Sequence, residues 1–326
     1  MKRVYLLVVI CSSYIAAFAQ DQRIPYLTKS LSDANIRSVD MQTSGGSLSV
    51  EGVNNAEAKL EVYIHGNNGN KNLSKDEIDK RIKEGYDLDI TTNGGQLIVI
   101  AKQKKGFNDW KNSLSISFKA YVPKNASTNL KTSGGSLSLS GLTGVATGNT
   151  SGGSIRISNM NNSVNMKTSG GSIAAQASSG NINLTTSGGS ISLSDLKGAI
   201  NAITSGGSIK ADGVNGELVA KTSGGSIRVD RMEGSVDLAT SAGSASVNML
   251  SVDKYVKIAV SAGQVNLHLP KNKGMNLDLR ATKVNLPSVS NFSGSQEKDK
   301  VTGKLNGGGV PVEVAVSAGS LNIETN

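Results

Sequence analysis

The chain has one cysteine and two histidines in 326 residues, and aromatic side chains make up only 4% of it. The cysteine, Cys11, lies in the first apolar stretch, so nothing after it can form a disulfide, a thiolate nucleophile or a thiolate metal site. His65 and His268 are far apart, and neither has an evident partner in the sequence. Surface or satisfied strand histidines are therefore expected rather than a base or a ligand pair. No aromatic residue occurs between Tyr121 and Tyr255, so this long middle stretch lacks the stacking platforms typical of sugar-binding grooves. After the N-terminal stretch, no run is apolar enough to supply the ~20 residues of a membrane helix.

The first residues read as an export signal. Lys2 and Arg3 precede a mostly apolar Val4–Ala17, and Ala17-Phe18-Ala19 supplies the small–x–small pattern of a cleavage site. Cleavage is expected after Ala19. A lipoprotein is disfavoured, because Ile10 stands before Cys11 where a small residue is needed. Losing residues 1–19 lowers the net charge from +9 to +7. The basic excess is uneven. Residues 96–131 carry Lys102, Lys104, Lys105, Lys111, Lys119, Lys124 and Lys131 against the single acid Asp109, whereas residues 132–250 are almost balanced. The export signal argues against nucleic acid as the partner of these lysines, and solubilising lysines on an edge strand are expected.

What is abundant is repetition. Thr-Ser-Gly-Gly-Ser begins at Thr132, Thr150, Thr168, Thr186, Thr204 and Thr222, with Thr-Ser-Ala-Gly-Ser at Thr240, each 18 residues after the last. Related copies start at Thr43 and Thr92, and shortened ones at Ser261 and Ser317. Counting each turn from its threonine, the sixth column (Leu137, Ile155, Ile173, Ile191, Ile209, Ile227, Ala245) and the eighth (Leu139, Ile157, Ala175, Leu193, Ala211, Val229, Val247) are apolar. The seventh between them is mostly polar. Further apolar columns stand at the eleventh (Leu142, Met160, Leu196, Val214, Met232, Leu250, with Ser178 as an exception) and at the fifteenth. Alternation of this kind is a strand with one buried face. Two short strands per turn cannot bury that face alone, but stacked turns can. An unvarying period is what stacking demands, since a one-residue slip turns the apolar set outward.

The corner glycines differ among the copies. The third position accepts alanine at Ala242, Ala262 and Ala318, while the fourth is always glycine. This predicts a positive φ or a close backbone approach at the fourth. A phosphate cradle is disfavoured, because such a loop precedes a helix and occurs once. Here a strand follows each time.

The ends are less regular. Ser74 and Glu77 form a capping box, Ile78 and Ile82 lie one turn apart, and Gly85 closes a helix over about 75–84. The aromatics Tyr63, Tyr86, Phe107, Trp110, Phe118 and Tyr121 cluster around it, as expected of a hydrophobic plug. Residues 285–311 read as a loop excursion, after which Val312–Val316 returns as a strand and Leu321 and Ile323 face the core. The expected organisation is a signal peptide at 1–19, irregular N-terminal turns and cap at 20–131, the regular array at 132–269, and C-terminal turns and cap at 270–326.

The Thr-Ser-Gly-Gly-Ser-Ile turn, Leu114–Val122 running into Pro123-Lys124, and Leu267-His268-Leu269-Pro270 resemble the putative-adhesin β-strand-repeat family, a domain-of-unknown-function family of bacterial envelope proteins. The resemblance covers about residues 35–326. It implies the solenoid fold and an envelope setting, and it brings no catalytic residues.

The chemistry is sparse. Asp212 and Asp230 occupy the same position in adjacent turns, a stacking that would suit a retaining glycosidase pair or a calcium site. Lys210, Arg228 and Arg231 beside them favour a column of solvated charges. The reading is an all-β, parallel β-solenoid of 18-residue turns with one short helix inserted near the N-terminal end, right-handed by the general crossover preference. No catalytic residue, cofactor or metal site is expected. The expected role is that of an exported adhesin-like or scaffold protein, with envelope polysaccharide or a surface protein as partner and not nucleic acid. The alternative is a polysaccharide lyase or hydrolase with its site at the aromatic-rich N-terminal end.

Overall fold

The computed structural model describes residues 24–67, 73–107, 109, 111–287 and 291–325, so the signal-peptide segment and Trp110 lie outside the described residues. The strand Ile155–Ser158 pairs in parallel with Leu137–Ser140 on one side and with the strand beginning at Ile173 on the other. Every partner is 18 residues away. The same offset continues through Ile191, Ile209 and Ile227. The fold is a parallel β-solenoid, and the one α-helix among the described residues is Lys75–Gly85, capped by Ser74, whose hydroxyl accepts the Glu77 N–H at 3.3 Å.

The sixth, eighth and fifteenth columns are buried throughout the array. A further buried column, at the seventeenth position (Met166, Leu184, Ala202, Ala220, Leu238), was not anticipated. Ser178, the polar exception in the eleventh column, is also inside. Its hydroxyl donates to the Gln176 carbonyl at 2.7 Å and accepts the Met160 N–H at 3.0 Å, so its burial leaves nothing unpaired. Leu250 departs from expectation. It is 51% exposed, and Met249 fills the core in its place. The cause is a change of period: Thr240 stands beside Val260, 20 residues on, and the pairing slips so that Met232 lies opposite Met249.

Each corner is tied by its threonine. The buried Thr150 hydroxyl donates to the Gly135 carbonyl of the preceding turn at 2.8 Å and accepts the Gly153 N–H of its own turn at 3.2 Å. Thr168, Thr186, Thr204, Thr222 and Thr240 each make the same 2.8 Å bond to the glycine 15 residues before. The fourth-position glycine is thereby pressed against its counterpart. A Cβ on Gly189 would land on the Gly171 carbonyl group, whereas one on Gly188 would lie 3.6 Å from its nearest neighbours. Close approach thus explains the glycine in the regular turns. Among the solenoid corners a positive φ accompanies it at Gly243, Gly263 and Gly319, the three copies preceded by alanine. A second corner falls at the tenth position, where Gly141, Asn159, Ala177, Asp195, Gly213 and Arg231 all have φ between 47° and 70°. No single residue type marks it, and sequence reasoning missed it.

The ends depart from chain order. At the N-terminal end, Ser38–Thr43 lies between Gln96–Gln103 and Ser127–Thr132, and Leu48–Val53 lies between Leu114–Pro123 and Leu137–Ser140. The early turn is therefore inserted beneath the regular array, outside which later residues form the next rung. Antiparallel strands finish this end: Tyr86–Asn93 on Gln96–Gln103, Lys59–Gly66 on Leu114–Pro123, and Leu27–Ser30 on Lys59–Gly66. The Thr92 copy is not a solenoid corner. Asn93 pairs with Gln96 across Gly94 and Gly95, with φ of 56° and 81°, so the motif serves there as a two-residue hairpin turn.

The C-terminal end repeats the device. Val310–Ala318 lies between Met275–Arg280 and the strand ending at Ala262, and Ser320–Thr325 lies between Val265–Leu269 and Lys283–Asn285. Residues 285–311, expected as a loop, instead carry the antiparallel pair Phe292–Gln296 and Lys300–Leu305, which closes the stack on Met275–Arg280.

Two outcomes test the corner. Gly189→Ala should lower stability by at least about 1 kcal/mol, while Gly188→Ala should be neutral or slightly stabilising; denaturant midpoints compare them. Thr204→Val should cost on the order of 1–3 kcal/mol, because it leaves the half-buried Gly207 N–H and Gly189 carbonyl unpaired. Thr185→Val, on the outer face, should change the midpoint little.

Candidate functional site

The expected pair is aligned, with Asp212 and Asp230 opposite each other on adjacent strands. Both carboxylates are already engaged. Arg231 Nε donates to Asp212 at 2.7 Å, and Arg228 Nε donates to Asp230 at 2.7 Å. The left-handed backbone at Arg231 turns its side chain back across the corner, where its guanidinium also lies 3.5 Å from Asp195. Gly213 makes room for that bridge, since a Cβ there would collide with Asp195 and Arg231. The hydrogen bond from Arg231 holds the Asp212 carboxyl below its ordinary range. Each carboxylate is thus engaged by a guanidinium in a surface ion pair.

Three further acids of the regular turns are also partnered. Glu217 accepts the Tyr255 hydroxyl at 2.8 Å, Asp237 lies 3.2 Å from Lys221, and Glu233 accepts an Asn215 amide hydrogen at 2.7 Å. Burial, followed by the bond to Glu217, pushes the Tyr255 phenol up to about 12. Among the described residues, no group of three or more His, Cys, Asp or Glu is placed to hold a metal ion. His268 has a partner that the sequence did not make evident: its Nδ1 is 3.2 Å from Glu324, directly across the strand pair. That partner comes from 56 residues away along the chain, so only the inserted C-terminal rung reveals it.

The N-terminal aromatics divide between core and surface. Phe118 and Tyr86 are buried, and Phe107 packs on Tyr86 with ring centroids 5.8 Å apart. The Tyr86 hydroxyl donates to the Leu114 carbonyl at 3.2 Å and accepts the Leu114 N–H at 2.7 Å, so its burial is satisfied. Tyr63 and Tyr121 lie instead on the outer face. The ammonium groups of Lys59 and Lys119 sit 4.8 and 4.4 Å from the Tyr121 ring centre, and Lys59 pairs with Glu61 at 2.7 Å. Burial works to raise the Glu61 carboxyl, but hydrogen bonds from Lys59 and Tyr63 overcome it and bring it down. Burial and the bond to Glu61 push the Tyr63 phenol up to about 12. Glu61, a largely buried carboxylate among these aromatics, is thus held as an anion by Lys59 and Tyr63.

The lysines of 96–131 form no single patch, and they are not confined to edges. Lys102, Lys119 and Lys131 stand on strands paired on both sides. Lys104 donates to the Lys83 carbonyl at 2.6 Å. Lys102 and Lys131 join Lys167 along a groove of about 440 Å³ beside the serine corners.

A crystal structure of a putative cell adhesion protein from Clostridium sporogenes matches at 12% identity, over 92% of this chain and 98% of that one. Its TM-score of 0.26 is too low to bear on the shape or role of this protein. No curated protein matches the sequence. The family model described as Toastrack DUF4097 matches residues 56–324, which takes in the whole regular array and most of both ends. The chain belongs to the Toastrack DUF4097 family.

Proposed function

We propose that this chain is a non-catalytic, exported envelope protein of adhesin or scaffold type, working at a periplasmic, outer-surface or extracellular face. The observation that carries the reading is the outer surface of the array. In-register stacking turns each outward position into a ladder, such as Ser138, Arg156, Ala174, Ser192, Lys210, Arg228 and Ser246. Such ladders offer many weak, equivalent polar contacts, which suits binding by repetition rather than reaction at one point. The acids that could serve a lyase or hydrolase are held by arginines, lysines or hydrogen bonds, as Asp212 and Asp230 show. Export is supported by the basic, apolar and small-residue pattern of residues 1–19. Among the described residues, no helix is long and apolar enough to cross a membrane.

Two experiments test this. Deleting one complete turn, Thr186 to Ile203, joins Thr185 to Thr204 and keeps the register. The variant should fold, and any adhesion or envelope phenotype should weaken only partly. Complete loss of phenotype in a folded variant contradicts contact by repetition. For the enzyme alternative, purified protein is incubated with anionic and neutral glycans beside Asp212→Asn and Asp230→Asn. No turnover is expected from any of the three, and turnover that disappears in either variant would replace the reading with a polysaccharide-active enzyme.

A further inference from the structure

We propose that the groove beside the serine corners, at the N-terminal third of the array, binds a linear anionic glycan carrying one negative charge per disaccharide. The groove crosses five stacked strands in the spatial order Gln96–Gln103, Ser38–Thr43, Ser127–Thr132, Ala146–Thr150 and Val164–Thr168. In register across four rungs its outer wall reads Gln42, Lys131, Asn149, Lys167. Charge and amide alternate along that row, so the Lys131 and Lys167 ammonium groups stand two rungs apart, about 10 Å along the stack. Lys102 adds a third charge two rungs from Lys131, displaced two residues along its strand from Ile100, which faces Gln42. An extended β-linked pyranose chain advances by close to one rung per sugar, so alternate rungs match alternate sugars.

The chemistry of the groove agrees with that partner. No acidic side chain lines it, and none of the described acids pairs with Lys102, Lys131 or Lys167. Along its floor the hydroxyls of Ser44, Ser133, Ser151 and Ser169 are exposed and make no hydrogen bond with any described residue. They remain free for sugar hydroxyls, while the ammonium groups meet carboxylates or sulfates. No aromatic side chain lines the groove, so it lacks the stacking surface that binds single-stranded nucleic acid. Lys131, Asn149 and Lys167 follow the 18-residue period, whereas Lys102 and Gln42 join them only because the rung of Gln42 is inserted between the strands of Lys102 and Lys131.

The proposal rests on reading the rod as a non-catalytic binding surface. Titration calorimetry of the full chain with hyaluronan oligosaccharides, which carry one carboxylate per disaccharide, tests it beside oligogalacturonate, dextran and poly-dT. Hyaluronan should bind with an affinity that falls as salt is added, and dextran should not bind. Lys131→Gln and Lys167→Gln should each weaken binding roughly tenfold, with unchanged denaturant midpoints. Lys210→Gln, on another face, should leave it intact. Absence of hyaluronan binding, or binding indifferent to the groove lysines, overturns the site. Equal affinity for oligogalacturonate overturns the charge spacing, and equal affinity for poly-dT with the same lysine dependence overturns the glycan. Shortening of the hyaluronan during the titration would instead overturn the non-catalytic reading and leave the groove standing.

Discussion

The structure depends on one hydrogen-bonding relay. At the corners from Thr132 to Thr222 a buried threonine hydroxyl accepts from the glycine N–H of its own turn and donates to the glycine carbonyl of the turn stacked before it. Both backbone groups are enclosed, and each left unpaired would cost on the order of 1–3 kcal/mol. The relay therefore locks two stacked turns at a single offset. Glycine at the fourth position follows from it, because the carbonyl beneath occupies the space of a Cβ. The apolar columns follow in turn, since a fixed offset puts like side chains over like. Repetition then multiplies a local arrangement of about 18 residues into a continuous core running from Leu31 to Ile323.

A parallel stack built this way has no natural end, because each last rung exposes a row of unpaired backbone groups. Both ends solve the problem alike. The terminal segment is inserted next to the regular array, the residues between it and the array form the next rung out, and antiparallel strands close the stack. An antiparallel strand presents a different hydrogen-bonding pattern from the parallel rungs beneath it. It interrupts the template that another chain would extend. The inserted rungs also hold the terminal segments between two neighbours rather than leaving them at the edge.

The same architecture limits the chemistry. Outward side chains are spread into ladders, and the acids on them meet basic residues on the same or neighbouring rungs, as Asp212 meets Arg231 and Asp237 meets Lys221. What such a surface does well is repeat a weak contact at a fixed spacing. Fold alone does not assign a function, and membership of a domain family of unknown function leaves the role to these surface ladders and to the lysine-lined groove.

By itself the sequence determined the period, the strands of the regular array, the buried sixth, eighth and fifteenth columns and the capped helix. Each of these is a relation repeated at a constant separation or contained within one helical turn. It marked the corner threonine without revealing its task, because a motif shows recurrence and not which atoms it joins. The tertiary structure alone decided the order of the rungs at either end, the partnership of His268 with Glu324, and the hairpin at Thr92. It also decided the exchange of Met249 for Leu250 inside a 20-residue turn. The physical reason is shared. Any strand with the right alternation can pair with an open sheet edge, so where the period breaks, competition among distant strands chooses the neighbour. The far end of the lysine groove is a product of that choice, which brings Gln42 and Lys102 alongside the periodic Lys131, Asn149 and Lys167.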